Sequence, residues 1–289
     1  MNTSILQECL NYIDFLRSIG YFVSLSGFDS KFEPYISELS DYEIHLHSVC
    51  FYLKQNSKTQ GKCVLNKQKL NHAKITEPYY SCCYAGVEEF VIPVLYQDTC
   101  IMCINISGYR GTLKKSKKFM ERVLPECDNH FSELYNELSI SVPRFDDVMK
   151  FISPLKYMII ELYKSCESMS NDLNEIPLAK QIYFRAINFI NENYMMQLSC
   201  DYVAKQLNYS ASYLHYIFKK EGNTTIKACI NDVRLNKAKH LLSHTQISIT
   251  DVALACGFLD SNYFSTAFKN KYGIPPKKYR DIHFLSKQS

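Results

Sequence analysis

Near its carboxyl end the chain repeats itself at a spacing of about fifty residues, the scale of a supersecondary unit used twice. One copy reads LSCDYVAKQLNYSASYLHYIFKKEG (198–222) and the other ISITDVALACGFLDSNYFSTAFKNKYG (247–273). Val203, Ala204 and Leu207 precede Leu214 and Phe218 in the first. Val252, Ala253 and Cys256 precede Phe264 and Phe268 in the second, with one residue inserted between the two halves. Each copy predicts a short helix, a tight turn and a second helix, with a small alanine where the pair must approach closely. That is helix-turn-helix geometry. Between the copies, Ile226, Ile230, Val233, Leu235, Ala238 and Leu241 suit a helix joining the two motifs.

The expected caps fit the same boundaries. Ser199 and Ser248 precede the first helices, and Ser210 and Asp260 the second ones, each able to accept a hydrogen bond from an orphan backbone N–H. Gly222 and Gly273 fall where the second helices should stop. With the apolar positions turned inward, Ser212, His215, Tyr216, Lys219 and Lys220 face out in the first copy. Ser261, Asn262, Ser265, Thr266, Lys269 and Lys271 do so in the second. Polar groups near a helix start can reach base edges in a major groove, while lysines toward its end, with Lys277, Lys278 and Arg280, suit phosphates. A single lysine is more often just part of a solvated face; the duplicated pattern carries the reading.

Charge divides the same way. Residues 178–289 hold 15 Lys+Arg and 7 Asp+Glu, a net of +8, whereas residues 1–177 hold 18 and 22, a net of −4, giving the chain's +4. A basic part joined to an acidic one suits a nucleic-acid binder with a second function in its other half.

Residues 180–282 resemble the DNA-binding domain of the AraC/XylS family of bacterial transcription regulators. The match rests on Ala204, Leu214, Phe218-Lys219-Lys220, Arg234, Ala238, Leu242, Ile249, Val252-Ala253, Gly257-Phe258, Tyr263-Phe264, Phe268-Lys269 and the run Gly273 to Arg280. The resemblance implies double-stranded DNA as partner, with two recognition helices in successive major-groove segments about 34 Å apart. It implies base reading by Ser212, His215, Tyr216, Ser261, Asn262, Ser265 and Thr266, and RNA polymerase as a further partner. No arginine stands at those positions, unlike in many family members, so Asn262 to adenine is the best single base contact.

The preceding half predicts a separate α+β domain. Apolar spacing at Ile5, Cys9, Leu10, Ile13 and Leu16 predicts a helix over 4–19 ending at Gly20, followed by a short strand. Further helices are expected at about 44–56 and 61–74, then a hairpin of EFVIPVLY (89–96) and TCIMCINIS (99–107) about Gln97-Asp98. Over about residues 5–110 this half resembles the PocR-type sensory domain, a PAS-like module, through Cys50, Lys54, Cys63, Asn66-Lys67, Cys83-Tyr84-Ala85-Gly86, Glu89 and Ile92-Pro93. That resemblance implies a small-molecule effector, its identity open, in a pocket involving Cys50, Cys63, Cys83, Tyr84 and Glu89. The expected architecture is therefore a PAS-like antiparallel-sheet sensor (1–138), a linking helical segment (139–176) and an all-α double helix-turn-helix domain (177–289).

In the linking segment, Val148, Ile152, Leu155, Ile159, Leu162, Cys166 and Met169 alternate steps of four and three. Such a stripe can pack on its own chain or form a homodimer seam. Ser153 and Pro154 are expected to start its regular helix.

Other chemistry is scarce. Cys50, Cys63 and Cys83 could be packed thiols, a redox-responsive pair or, with soft thiolate ligands, a metal site, although their intervals are unlike a zinc knuckle. The latter two options make a metal- or redox-sensing regulator the alternative function. Cys100 and Cys103 form a C-x-x-C, but an offset of three on a strand should point them to opposite faces. His45 and His47 suit surface or core better than ligation. Glu88 and Glu89 could set one carboxylate in a pocket and one in solvent. No G-x-S-x-G, H-E-x-x-H or phosphate loop is present, so neither an enzyme nor a bound cofactor is expected. No apolar run suits a membrane span or signal core, which predicts a cytoplasmic protein with reduced cysteines and no membrane partner.

Overall fold

The computed structural model describes residues 3–43, 45–55, 59, 62, 74–171 and 177–285. The chain divides into two compact units: Met1–Cys50 with Leu65–Asn174, and Phe51–Val64 with Glu175–Ser289.

In the first unit, α1 (Thr3–Ser18) buries Leu6, Cys9, Ile13 and Leu16, and the chain leaves it through Gly20, whose φ of +97° favours glycine. Strand β1 (Phe22–Ser26) follows, then a 3-10 turn (Ser30–Tyr35), α2 (Ile36–Ser40) and the start of α3 (Ser48–Gln55). The helix expected at 61–74 lies almost wholly outside the described residues. Strands β2 (Tyr79–Cys82), β3 (Glu88–Tyr96) and β4 (Thr99–Tyr109) complete an antiparallel sheet in the order β1-β4-β3-β2. Gln97 and Asp98, at φ 48° and 60°, make the expected hairpin turn with the twist of its strands. Nearly every residue of β4 is buried, so this central strand is covered on both faces and reads as an unbroken apolar run.

Three helices, α4 (Lys114–Val123), α5 (Asn129–Glu137) and α6 (Phe145–Asn171), close the unit. Asp146 and Asp147 in the first turn of α6 favour its start. The helix then runs through Pro154 instead of beginning there. Proline removes one backbone donor from that turn, and the neighbouring Ser153 hydroxyl donates to the Met149 carbonyl at 2.7 Å. Val148, Ile152, Leu155, Ile159, Leu162 and Cys166 are buried in one core with Ile13 and Leu16 of α1 and Ile92 and Ile104 of the sheet. The stripe thus packs on its own unit, and the segment expected as a linker or dimer seam is part of the sheet domain.

Two further expectations are corrected here. Glu88 is fully buried and Glu89 mostly so, so neither carboxylate of the pair stands in solvent. Cys100 and Cys103 do not point apart. The register slips between Val94, opposite Met102, and Leu95, opposite Cys100, which leaves Ile101 as an extra residue on β4. That bulge breaks the simple alternation and brings the two sulfurs to one side, 3.8 Å apart.

The second unit contains α7 (Leu178–Asn193), α8 (Cys200–Gln206), α9 (Ala211–Gly222), α10 (Ile226–His244), α11 (Ile249–Ala255), α12 (Ser261–Tyr272) and α13 (Pro276–Leu285). Ile182, Ala186 and Ile190 of α7 pack with Val203, Ala204, Leu214 and Phe218, and with Ile226, Ile230 and Val233 of α10. Buried residues occur on several faces of α10, as expected of a helix with neighbours around it.

Candidate nucleic-acid interface

The two helix pairs turn on the same backbone device. In the first, Asn208 takes φ 62° and the Tyr209 N–H returns to the Ala204 carbonyl at 2.9 Å. In the second, Gly257 takes φ 85° and the Phe258 N–H returns to the Ala253 carbonyl at 2.9 Å. The left-handed residue follows the small alanine at the same offset in both. The inserted residue is Leu259, 79% exposed, which lengthens the second turn without entering the core.

All four predicted caps form. Ser199 accepts from the Tyr202 N–H, Ser248 from Asp251, Ser210 from Tyr213, and Asp260 from both Asn262 and Tyr263 at 2.7 and 3.3 Å. Helix α12 is closed by Gly273 in the left-handed region; α9 ends at Gly222 as expected, but its left-handed cap is the next residue, Asn223, with φ 46°. Gly222 serves packing instead, since a Cβ there would collide with the Tyr183 hydroxyl.

With the helices fixed this way, Leu214, Ile217 and Phe218 of α9 and Phe264 and Phe268 of α12 are fully buried. Ser212, His215, Tyr216, Asn262 and Thr266 are exposed, with Ser261 and Ser265 half-buried. Ser265 and Thr266 donate their hydroxyls to the carbonyls one turn back, of Ser261 and Asn262, which leaves their oxygens as acceptors toward the outside. Lys219, Lys220, Lys269, Lys277 and Lys278 are exposed.

Two of the basic side chains expected on phosphates are engaged differently. Lys271 Nζ is 2.8 Å from the carboxylate of Asp232 on α10. The Arg280 guanidinium turns inward, with Nε and Nη2 buried and without a hydrogen-bond partner among the described residues, and burial lowers its pKa.

A concave groove of about 570 Å³ runs between the two motifs, bordered by His215 of α9, Tyr263 of α12, and Lys227, Asn231 and Arg234 of α10. Asn231 Nδ2 donates to the Tyr263 hydroxyl at 2.8 Å, which ties the first turn of α12 to the joining helix. Both second helices therefore border one continuous surface. Outward reading of each helix alone misses Tyr263, Lys227 and Asn231, because the groove exists only once both motifs pack on α10. It misses Tyr213 too, whose ring stacks on Tyr216 with centroids 6.3 Å apart. The available signal was its place three residues before Tyr216, since helical side chains at that spacing are neighbours.

The described residues among those expected around a sensor pocket lie on separate elements of the structure. Cys63 lies outside the described residues. Cys50 and Cys83 are half-buried thiols, and no disulfide joins the described cysteines. Cys83 and Tyr84 sit in the turn after β2, whose Cys83 N–H bonds to the Val87 carbonyl. Glu89 on β3 lies 3.8 Å from the His45 ring, while His47 is buried against the Ser107 hydroxyl at 2.8 Å. Glu88 is the strongly held group of this region: Thr112, through its hydroxyl and backbone N–H, the Leu113 N–H and the Tyr80 hydroxyl all donate to it. Burial alone would raise its pKa, but these hydrogen bonds outweigh it and hold the carboxyl below its usual range. No described helix is long and apolar enough to cross a membrane.

Comparison with known proteins matches these features. A family model described as a helix-turn-helix domain matches residues 203–282. The Msm operon regulatory protein of Streptococcus mutans serotype c is 32% identical over 155 residues, 52% of this chain and 55% of that protein. The HTH-type transcriptional activator RhaS of Escherichia coli O139:H28 is 37% identical over 92 residues, 32% of this chain and 33% of that one. The matches thus span about half of one curated relative and a third of the other. Among solved structures, a transcriptional regulator with an AraC-type DNA-binding domain from Chromobacterium violaceum aligns at 30% identity and TM-score 0.35, over 36% of this chain and 92% of that one. The relatives are transcription regulators and not enzymes. Residues 203–282 of this chain are a helix-turn-helix domain, similar to those of AraC-type regulators.

Proposed function

We propose that the protein is a ligand-responsive, sequence-specific DNA-binding transcription regulator that activates a metabolic operon. The observation that carries DNA binding is the pair of capped helices, α9 and α12, which bury Leu214, Phe218, Phe264 and Phe268 and border one groove. In this reading Ser212, His215, Tyr216, Ser261, Asn262, Ser265 and Thr266 read bases. Lys219, Lys220, Lys269, Lys277 and Lys278 hold phosphates, with Lys271 joining them only on leaving Asp232. Activation and an operon as the target are supported by the relatives, one named as a transcriptional activator and one as an operon regulatory protein.

The sheet unit is the sensor of this reading, a PAS-like module for a small-molecule effector. Its antiparallel sheet, backed by α1 and α6, supports that role. An effector acts by binding one arrangement of the sensor more tightly than another, and RNA polymerase is the downstream partner.

The test is fluorescence anisotropy of the purified full chain on DNA from beside its own gene and on scrambled DNA of equal length, over a salt series. The expected result is tighter binding to the first by a factor of at least ~10³ at physiological salt. Equal affinity for both would reject sequence-specific regulation. A thermal-shift screen of small metabolites on the same chain tests the sensor, since a ligand that binds the folded state raises its melting temperature.

A further inference from the structure

The Sγ atoms of Cys100 and Cys103 lie 3.8 Å apart on β4, and the DNA-binding reading uses neither residue. Cys100 is 5% exposed and Cys103 not at all, and they pack with Val91, Ile75, Tyr79 and Leu95. No group of three or more metal-ligating side chains among the described residues includes them, so the pair lacks the donor set of a four-coordinate zinc site. Two thiols at this distance suit a different chemistry. Closing to the ~2.05 Å of a disulfide needs roughly 1.8 Å of movement. The bulge at Ile101 leaves a ladder position unpaired beside them, where the strand can yield.

We propose that Cys100 and Cys103 are an oxidant-sensitive dithiol, which a peroxide converts to an intramolecular disulfide. The hydrogen bond between the two sulfurs holds the Cys100 thiol below its ordinary pKa and, with burial, pushes that of Cys103 well above it. Cys100, which keeps some exposed surface where Cys103 has none, is the group a small oxidant meets first and so the attacking one. The Cys100 thiolate attacks one peroxide oxygen, the O–O bond breaks, and the departing hydroxide takes up the proton released by Cys100 to give water and a sulfenic acid. Cys103 then attacks the Cys100 sulfur, the S–O bond breaks, and the hydroxide released takes the Cys103 proton to give a second water. Two thiols are oxidised, one hydrogen peroxide is reduced, and a dithiol reductant reverses the change.

The full-length chain is treated with hydrogen peroxide, alkylated under denaturing conditions, and cut before Asp98 and after Arg110. The resulting fragment, DTCIMCINISGYR, holds these two cysteines and no other. Loss of both alkyl groups is expected, with a mass two hydrogens below the unalkylated dithiol and full alkylation restored by prior dithiothreitol. In Cys100→Ser, Cys103 should alkylate equally with and without peroxide. Two alkyl groups on the wild-type fragment after peroxide, or a sulfinic acid at Cys100 in place of the disulfide, would overturn the proposal. The wild-type readout needs no variant to fold, and neither result depends on DNA binding.

Discussion

Arg234 donates from Nε to the carbonyl of Tyr194 at 2.9 Å, and from Nη2 to that of Met196 at 2.8 Å, so one side chain of α10 holds the end of α7. Two carbonyls beyond a helix end are satisfied by a fork of donors that only arginine supplies. Arg234→Ala should cost about 2–3 kcal/mol of stability, because charge-assisted hydrogen bonds disappear and acceptors are left unpaired. Arg234→Lys should recover less than half of that. Urea unfolding followed by circular dichroism measures both, and equal stability of all three proteins would contradict the role given to the fork.

Gly257 lies against the same place. A Cβ there would sit 2.7 Å from the Tyr194 carbonyl oxygen and 3.1 Å from Arg234 Nε, at a φ of +85°. Gly257→Ala adds a collision to the ~1 kcal/mol of left-handed strain, and we expect a loss of about 2–4 kcal/mol. Asn208 occupies the equivalent turn of the first motif, where Asn208→Gly should change stability by less than ~1 kcal/mol. Thermal unfolding of the two variants side by side checks this, and a Gly257→Ala protein as stable as wild type would contradict the close approach.

DNA binding separates into positioning and reading. Lys219→Ala with Lys220→Ala should weaken binding to cognate and random DNA alike and flatten the salt slope by about 1–2, because up to two fewer phosphates are neutralised. Asn262→Ala should cost about 1–3 kcal/mol on cognate DNA only and relax one base position. Anisotropy titrations across a salt series distinguish them; equal losses on both DNAs for Asn262→Ala would remove it from the base-reading set.

Glu88 gives the sheet unit a pH signature. Its folded pKa is lowered, so its stabilising contribution is full above the unfolded carboxyl value of about 4.3 and is lost as pH falls through the lower folded value. Glu88→Gln cannot titrate. The stability gap between wild type and this variant should be constant from pH 7 to about 5 and shrink below ~4. Urea midpoints at a series of pH values measure it, and a gap unchanged down to pH 3 would show that the carboxylate is not preferentially held.

The carboxyl-terminal unit is legible residue by residue because each helix there is set by local rules. Ser199, Ser210, Ser248 and Asp260 act where a cap is required, and Leu214, Phe218, Phe264 and Phe268 are spaced for one buried face. What local rules cannot supply stays hidden. Tyr263 and Asn231 are far apart in sequence and meet only through packing on α10. The inward turn of Arg280 and the pairing of Lys271 with Asp232 have the same non-local origin. In the sheet unit, alternation predicts Cys100 and Cys103 on opposite faces, and a single bulged residue reverses that. The spacing of the stripe on α6 marks an apolar face, yet cannot say whether its partner is α1 or a second chain. The core containing Ile13, Leu16 and Ile152 gives the answer.

The central claim is that α9 and α12 read one duplex together. Selection of binding sites from random double-stranded DNA by the full-length chain tests it most directly. Two half-sites on one face of the helix, about 10–10.5 base pairs from centre to centre, are expected, and Asn262→Ala should degrade only one of them. Recovery of a single short half-site, or of no enriched sequence at all, would contradict it.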